Sequence, residues 1–164
     1  MNQRGILIVV SGFSGAGKGT LMKELMKRYE ETYALSVSAT TRNPREGEVD
    51  GREYFFKTTE EFEKMIAKEE LIEYARYVEN YYGTPRTYVE QQLEAGKDVI
   101  LEIEIQGALK VKERFPDTLL LFVTPPSAKE LRRRLVGRGT ETMEVIESRL
   151  ASAVEESEYM DQYD

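Results

Sequence analysis

A glycine-rich segment near the start of the chain has the residue types and spacing to bind phosphate. Gly12-Phe13-Ser14-Gly15-Ala16-Gly17-Lys18 has the GxxxxGK spacing. Its glycines let backbone N–H groups turn toward one anion, and Lys18 adds a charge that can reach the outer phosphates of a nucleotide. A buried-strand pattern precedes the segment and a helical pattern follows it. The motif predicts nucleotide binding, but GTPases, ATPases and kinases all use it.

The position after Lys18 departs from the strict form of this motif. The strict form has Ser or Thr there, where a hydroxyl can reach Mg²⁺, whereas this chain has Gly19 and then Thr20. Gly19 has no side chain to bind a metal, so we expect phosphate and water to provide most of the ligands of the Mg²⁺ ion. The Gly-Lys-Gly-Thr form favours small-molecule kinases.

Composition excludes several other chemistries. The 164 residues include no Cys, His or Trp, which rules out disulfide scaffolds, zinc fingers, thiol nucleophiles and Ser-His-Asp triads. The formal net charge of −7 disfavours nucleic acid as a partner. No apolar run is longer than 6–10, which is too short to cross a membrane, and its flanks do not resemble a signal peptide. We therefore expect a cytoplasmic protein with small nucleotide ligands.

Alternating strand and helix patterns predict an α/β fold with a parallel core sheet. Strands are predicted at 6–10, 99–106 and 119–124, and helices after the glycine loop, after Ser127 and over about 143–160. Between the first two strands the pattern predicts short strands in 35–41 and 54–57, a helix opened by Thr58 or Thr59 and a strand over 71–78. A turn at 80–85 and a helix over about 87–95 follow.

Five motifs in register resemble the guanylate kinase family, from the first strand to the last residue. They are Ser36–Glu48 with Asp50-Gly51 and Tyr54–Phe56, then Leu71–Ala75, Asn80–Thr84, Leu101–Gly107 and Arg138–Thr142. The resemblance implies a P-loop NTPase-type three-layer α/β/α fold. It also implies the Mg²⁺-dependent reaction ATP + GMP ⇌ ADP + GDP, with dGMP as a further acceptor.

The resemblance also implies a role for individual residues. Lys18, Arg45, Arg138 and Arg149 would be catalytic. ATP would be bound by Ser14, Gly15, Ala16, Gly17, Lys18, Gly19, Thr20 and Arg134, and GMP by Ser38, Arg42, Arg45, Tyr54, Glu73, Tyr82, Thr84 and Glu104. Phosphoryl transfer between two anionic nucleotides depends on alignment and charge neutralisation, which arginines can supply through forked hydrogen bonds.

Glu73 matches the acid with which the family reads the base. Guanine presents N1–H and N2–H₂ as adjacent donors, and one carboxylate can accept from both. Ser38 and Thr84 offer hydroxyls that can donate to O6 or support the base. Adenine has no such pair of donors on that edge, so it would leave Glu73 unpaired at a cost.

Glu102 and Glu104 are expected to share one face at the carboxyl end of the second predicted strand, where ligands collect in open parallel sheets. The family more often has Asp at one or both positions. Glu104 is assigned to the GMP side and Glu102 to the metal–water shell. Each has an alternative interpretation as an ordinary solvated residue.

The expected organisation is a single domain. Residues 1–35, 97–126 and 150–164 would form the core, about 36–96 a GMP-binding lobe, and about 127–149 a lid. Guanylate kinases continue past the point matching 162–164 with a strand carrying Asn-Asp and then a helix. We therefore expect a truncated or shortened chain in which part of the ATP side is missing.

Guanylate-kinase-like domains also occur as protein-binding modules without catalysis, and this is the main alternative. Such modules typically lose the phosphate loop and change the substrate residues, whereas this chain keeps Lys18, Arg42, Arg45 and Glu73. An adenylate kinase would not explain Ser38, Glu73 and Tyr82 together. A regulatory GTPase would have an N-K-x-D base motif, which the sequence lacks.

Overall fold

The apolar runs of the sequence form a parallel sheet, with a second sheet beside it. The computed structural model describes residues 3–164. In chain order its elements are β1 (Leu7–Gly12), α1 (Lys18–Tyr29), β2 (Tyr33–Leu35), β3 (Ala39–Thr40), β4 (Phe55–Phe56), α2 (Thr59–Ala67), β5 (Leu71–Tyr77), β6 (Asn80–Pro85), α3 (Arg86–Glu94), β7 (Asp98–Glu102), α4 (Ile105–Arg114), β8 (Leu119–Val123), α5 (Ala128–Gly137), α6 (Met143–Ser157) and a short 3₁₀ turn (Met160–Gln162).

The core sheet has the strand order β2-β7-β1-β8, and every pairing in it is parallel. Helices cover both faces of β1, whose residues Val9 and Val10 are almost fully buried. A strand buried on both faces must be apolar throughout, which is why 6–10 is a continuous run and not an alternating one. The predicted α/β class with a parallel core sheet is confirmed.

The smaller sheet has the order β4-β3-β6-β5 and forms the inserted lobe. Helix α2 packs on it through Phe62, which is fully buried and stacks on Tyr81 with ring centroids 5.0 Å apart. Thr58 opens this helix as predicted, because it accepts from the backbone N–H of Glu61 in a capping box. The strands β3 and β4 are short because most of 36–54 is irregular backbone interrupted by turns at 46–47 and 51–53.

One predicted element and one predicted strand end are wrong between residues 80 and 106. Segment 80–85 is strand β6, not a turn, and the chain reverses at 78–79 instead. Its turn-forming residues are held extended by distant partners: the Thr40 hydroxyl donates to the carbonyl of Tyr81 at 2.9 Å, and the Tyr81 N–H donates to the Thr41 hydroxyl at 2.9 Å. The strand predicted over 99–106 ends at Glu102, and α4 begins at Ile105.

Helix α3 packs on the core although the sequence placed it in the lobe. Its Val89 and Leu93 belong to the same buried cluster as Leu7, Val9 and Val99 of the parallel sheet. The helix starts directly where β6 ends, with Pro85 as its N-terminal flanking residue. By packing, therefore, α3 groups with the parallel sheet.

Helices α5 and α6, which contain most of the predicted lid at about 127–149, share one apolar cluster with the glycine-rich loop. Leu131, Leu135 and Ile146 from the helices bury Phe13 and Ala16 of the loop. Close packing of this kind resists small displacements, so the loop and the two helices hold each other in place. No helix within residues 3–164 combines the length and apolar character needed to cross a membrane.

Candidate active site

The glycine-rich loop connects β1 to α1 in a conformation that its glycines make possible. Gly15 and Gly17 have φ angles of 89° and 98°, which lie in a region that residues with a Cβ rarely adopt. Gly17 flanks the start of α1 without a side-chain cap, so the first N–H groups of this helix are left for another acceptor. These N–H groups and the positive end of the helix dipole make the loop an anion site.

Lys18 folds back onto the loop. Its Nζ donates to the carbonyl oxygens of Gly12 at 2.8 Å and Phe13 at 3.1 Å. Burial lowers the pKa of this ammonium group, the charges of Glu102 and Glu156 raise it, and the charge of Arg138 lowers it. Lys18 is thus surrounded by charged groups from β7, α6 and the residue that follows α5.

Two arginines from the lid helices reach the loop, and each is held by a glutamate. Arg134 donates to the Ala16 carbonyl at 3.1 Å and to Glu130 at 2.8 Å. Arg149 donates to the Ser14 hydroxyl and to Glu141. Hydrogen bonds from Arg133 and Arg134 lower the pKa of Glu130 to about 2. Both Arg134 and Arg149 therefore lie at the phosphate loop.

Arg138, the remaining predicted lid residue, follows the last turn of α5 and is exposed. Its side chain makes no hydrogen bond or ion pair within residues 3–164, but its charge acts on Lys18. Gly19 and Thr20 lie in the first turn of α1 and are also exposed.

A cavity of about 560 Å³ separates the lobe from the core. Five of the predicted GMP residues line it, Ser38, Tyr54, Glu73, Tyr82 and Glu104, together with Glu102, the predicted metal–water residue. The cavity and the phosphate loop are adjacent, because the carbonyl of Ile103, a lining residue, accepts at 2.7 Å from the hydroxyl of Ser11, which directly precedes the loop. The structure thus brings residues from both sheets to one site.

Glu73 is a buried carboxylate in this cavity, with only 8% of its surface exposed. Its Oε1 accepts a hydrogen bond of 2.8 Å from the Thr84 hydroxyl. Burial raises the pKa of Glu73; the Thr84 hydrogen bond lowers it, the charge of Glu104 raises it further, and that of Lys110 lowers it. Thr84 is fully buried and supports the carboxylate without lining the cavity itself.

The sequence predicted Glu104 on a strand face shared with Glu102. In the structure Glu104 instead caps helix α4. One oxygen accepts from the N–H of Gly107 and the other from that of Gln106, each at 2.7 Å. A carboxylate at this position is stabilised by the unpaired N–H groups and the dipole of the helix, which explains why the strand stops short of it. Glu104 and Glu102 therefore occupy different structural settings.

The arginines of the lobe are organised by Glu48, which sequence analysis did not single out. Arg42 pairs with Glu48 at 3.0 Å and lies 5.2 Å from the centre of the Tyr54 ring. The second oxygen of Glu48 accepts from the backbone N–H of Arg45 at 2.7 Å. The Arg45 side chain is exposed, and its guanidinium makes no hydrogen bond within residues 3–164.

Comparison with known proteins decides the family. A guanylate kinase family model matches residues 4–164. The chain belongs to the guanylate kinase family. It is 58% identical over 163 residues to a guanylate kinase of Bacillus anthracis, covering 99% of this chain and 80% of that protein. It is 56% identical over 164 residues to the guanylate kinase of Bacillus subtilis (strain 168), covering 100% and 80% of the two chains.

A solved structure agrees with this assignment. The crystal structure of guanylate kinase from Anaplasma phagocytophilum superposes with a TM-score of 0.74 at 33% identity, covering 99% of this chain and 76% of the other. The predicted family is therefore confirmed, and with it the prediction of a nucleoside monophosphate kinase and not a GTPase.

The raised pKa of Glu73 predicts a pH-dependent stability difference. Above the ordinary value of 4.5 and up to the raised value, the folded state keeps a proton that the unfolded state has released. The free energy of unfolding therefore falls as pH rises through this window. Glu73→Gln has no such term, so its Tm relative to the unsubstituted protein should increase from pH ~4 to pH ~7. A difference independent of pH, measured by calorimetry, would contradict this.

Gly107 is predicted to keep the two carboxylates in place. A Cβ at this position would lie 3.1 Å from Glu104 Oε1 and 3.2 Å from Glu73 Oε2, so Gly107→Ala must displace at least one of them. Overpacking of this kind costs about 1–3 kcal/mol, and we expect GMP affinity to fall correspondingly. Gly137→Ala is the matched control, since nothing lies within 4 Å of its added Cβ. Equal GMP dissociation constants for the two variants, by calorimetric titration, would show that the carboxylates tolerate displacement.

Proposed function

We propose that this chain transfers the terminal phosphoryl group of ATP to the phosphate of GMP, giving ADP and GDP, and that dGMP is also an acceptor. The observation that carries the proposal is Glu73, a buried carboxylate facing a cavity that adjoins a phosphate loop. Burying a carboxylate is unfavourable unless it gains a partner, and guanine provides two adjacent donors. Because both substrates are small nucleotides of the cytoplasm, we propose that compartment for the reaction.

Guanine would bind with N1–H and N2–H₂ toward Glu73, while the hydroxyl of Ser38 lies in the same cavity as a donor for O6. The Thr84 hydrogen bond fixes the orientation of the carboxylate before the base arrives. Adenine would place an acceptor against Glu73 and leave the carboxylate unpaired. Sites built to bind a polar group reject analogues without it by large factors.

The GMP phosphate would bind to Arg42 and Arg45, with the hydroxyls of Tyr54 and Tyr82 assisting. Glu48 and the Tyr54 ring hold Arg42 in place beforehand, whereas the guanidinium of Arg45 is free to turn toward the phosphate. Arginine suits this task because its planar fork matches the geometry of phosphate oxygens.

ATP would place its outer phosphates against the loop. The N–H groups of residues 14–20 would donate to the phosphates, and Lys18 would exchange the carbonyls of Gly12 and Phe13 for phosphate oxygens. Arg134 and Arg149 already reach the loop, and Arg138, which is exposed after the last turn of α5, would join them when the lobe closes over the bound nucleotides. Three guanidinium groups would then neutralise the charge on the transferring group.

Magnesium fits this site through the nucleotide and not through a protein cage. Within residues 3–164 no group of three or more His, Cys, Asp and Glu could hold a metal ion, and glycine occupies the position that usually provides a hydroxyl. Mg²⁺ commonly keeps several waters and binds phosphates plus one or two carboxylates. Glu102 is the carboxylate we assign to it, through water. When bound, the ion would help neutralise phosphate charge.

We also propose that the chain has three working parts: the parallel sheet with its helices, the lobe that ends at Pro85, and the lid at about 127–149. The lobe holds the predicted GMP-phosphate residues, while the lid helices provide the arginines at the loop. Retention of Lys18, Arg42 and Glu73 favours a catalyst over a protein-binding module.

A panel of nucleoside monophosphates tests the function directly. With ATP and Mg²⁺, a coupled assay of ADP formation should show GMP and dGMP phosphorylated far faster than AMP, CMP or UMP. Glu73→Gln should remove most of this preference because an amide cannot accept from both guanine donors. Equal rates with AMP and GMP would refute the assignment of Glu73.

Arg45→Ala tests the phosphate clamp. Loss of a charge-assisted contact of about 1.5–3 kcal/mol should lower kcat/KM for GMP roughly 10- to 150-fold. Arg28→Ala is the control, since Arg28 forms an exposed pair with Glu24 on α1. If kcat/KM for GMP were the same in both variants, Arg45 would be an ordinary surface charge.

A further inference from the structure

Arg149 connects the lid to the phosphate loop, and Glu141 holds it there. One guanidinium nitrogen donates to the Ser14 hydroxyl of the loop and another to Glu141 Oε1. Glu141 lies in the short connection between α5 and α6, just before Thr142, whose hydroxyl caps α6. Its side chain is 20% exposed, against 36% for that of Arg149.

Stability alone does not explain Glu141. Its second oxygen, Oε2, is buried and has no hydrogen-bond partner within residues 3–164. A buried carboxylate oxygen without a partner loses its hydration and gains nothing in return, so in a native protein it calls for another explanation. Glu141 therefore orders Arg149 through Oε1 while its Oε2 is left without a hydrogen-bond donor within residues 3–164.

A second pair on the same two helices shows the contrast. Arg132 of α5 and Glu147 of α6 form an ion pair whose side chains are 47% and 54% exposed, and within residues 3–164 neither side chain forms a hydrogen bond to the loop. Such a surface pair contributes little to stability. The Glu141–Arg149 pair differs because it is partly buried and ends on the residue that precedes Gly15 in the loop.

We propose that Glu141 is a positioning residue for phosphoryl transfer: it fixes the guanidinium of Arg149 over the phosphate loop before ATP arrives. This inference rests on the proposed kinase function. A free arginine side chain must lose rotamer freedom when it engages the transferring group. A carboxylate that has already ordered the side chain removes this cost from the chemical step. Glu141 acts through Arg149 and does not contact the nucleotide.

Glu141→Gln keeps the shape of the side chain and removes its charge. We expect kcat with ATP and GMP to fall about 10- to 100-fold, because a charge-assisted hydrogen bond becomes a neutral one. KM for GMP should be unchanged, since Glu141 is not part of the GMP cavity. Tm should stay the same or rise, because the buried Oε2 is no longer part of a charged group. Glu147→Gln, the control, should have unchanged kcat.

A double-mutant cycle shows whether the effect passes through Arg149. In an Arg149→Ala background, Glu141→Gln should have no further effect on kcat, since there is no guanidinium left to position. An unchanged kcat in Glu141→Gln alone, or an equal loss in both backgrounds, would overturn the proposal. So would a fall in Tm that accounts for the lost activity. Failure of the proposed kinase function would be distinguishable from failure of the Glu141 proposal, because the unsubstituted protein itself would then not phosphorylate GMP.

Discussion

The apolar contact between the phosphate loop and the two lid helices is the constraint on which the site depends. Leu135 of α5 lies so close to Gly15 that a Cβ on the glycine would come within 2.9 Å of its Cδ2 atom. This contact sets the distance from α5 to the loop and thereby allows Arg134 to reach the Ala16 carbonyl. It also brings α6, with Arg149, over Ser14. The loop backbone and the arginines that we propose as phosphate ligands are therefore one packed unit.

Acidic residues around this unit have different tasks that follow from their surroundings. Glu73 is buried beside Thr84 and is left with capacity to accept from a base. Glu104 is held by the N–H groups of α4, so in this structure it organises the cavity wall. Glu130, Glu141 and Glu48 each hold an arginine. An acidic chain can therefore bind two anionic nucleotides, because carboxylates near the site are largely paired with cations or helix ends.

Sequence patterns identified the parts of the structure that depend on local chemistry. The strand, glycine loop and helix at 7–29 follow directly from an apolar run, glycine spacing and helical periodicity. Segment 80–85 could not be assigned in this way, because Asn80, Gly83 and Pro85 favour turns locally, whereas pairing with β3 and β5 holds the segment extended. Tertiary pairing decided this conformation against local preference.

The same limit applies to the site. Lys18, Glu73 and the predicted arginines could be proposed as site residues from the sequence because they lie in motifs. Glu48, Glu141 and Glu156 matter through contacts or proximity to Arg42, Arg149 and Lys18, and nothing in the local sequence distinguishes them from other glutamates. Glu104 was misplaced because a helix-capping carboxylate and a strand carboxylate look alike until the position of the helix start is known.

The packing of α3 on the core has a mechanical consequence for the lobe. Two backbone connections join the lobe to the rest of the chain: residues 36–38, and the junction where β6 passes directly into α3. At that junction the ring of Pro85 fixes φ, at −61°, and the N–H of Arg86 is tied to the carbonyl of Glu70 at 2.8 Å. The junction therefore restricts rotation of the predicted lobe. In the other connection the Ser36 N–H donates to the carbonyl of Ile100 at 2.9 Å and the Ser38 carbonyl accepts from the N–H of Phe55 at 2.8 Å, which leaves Val37 between the two anchored residues.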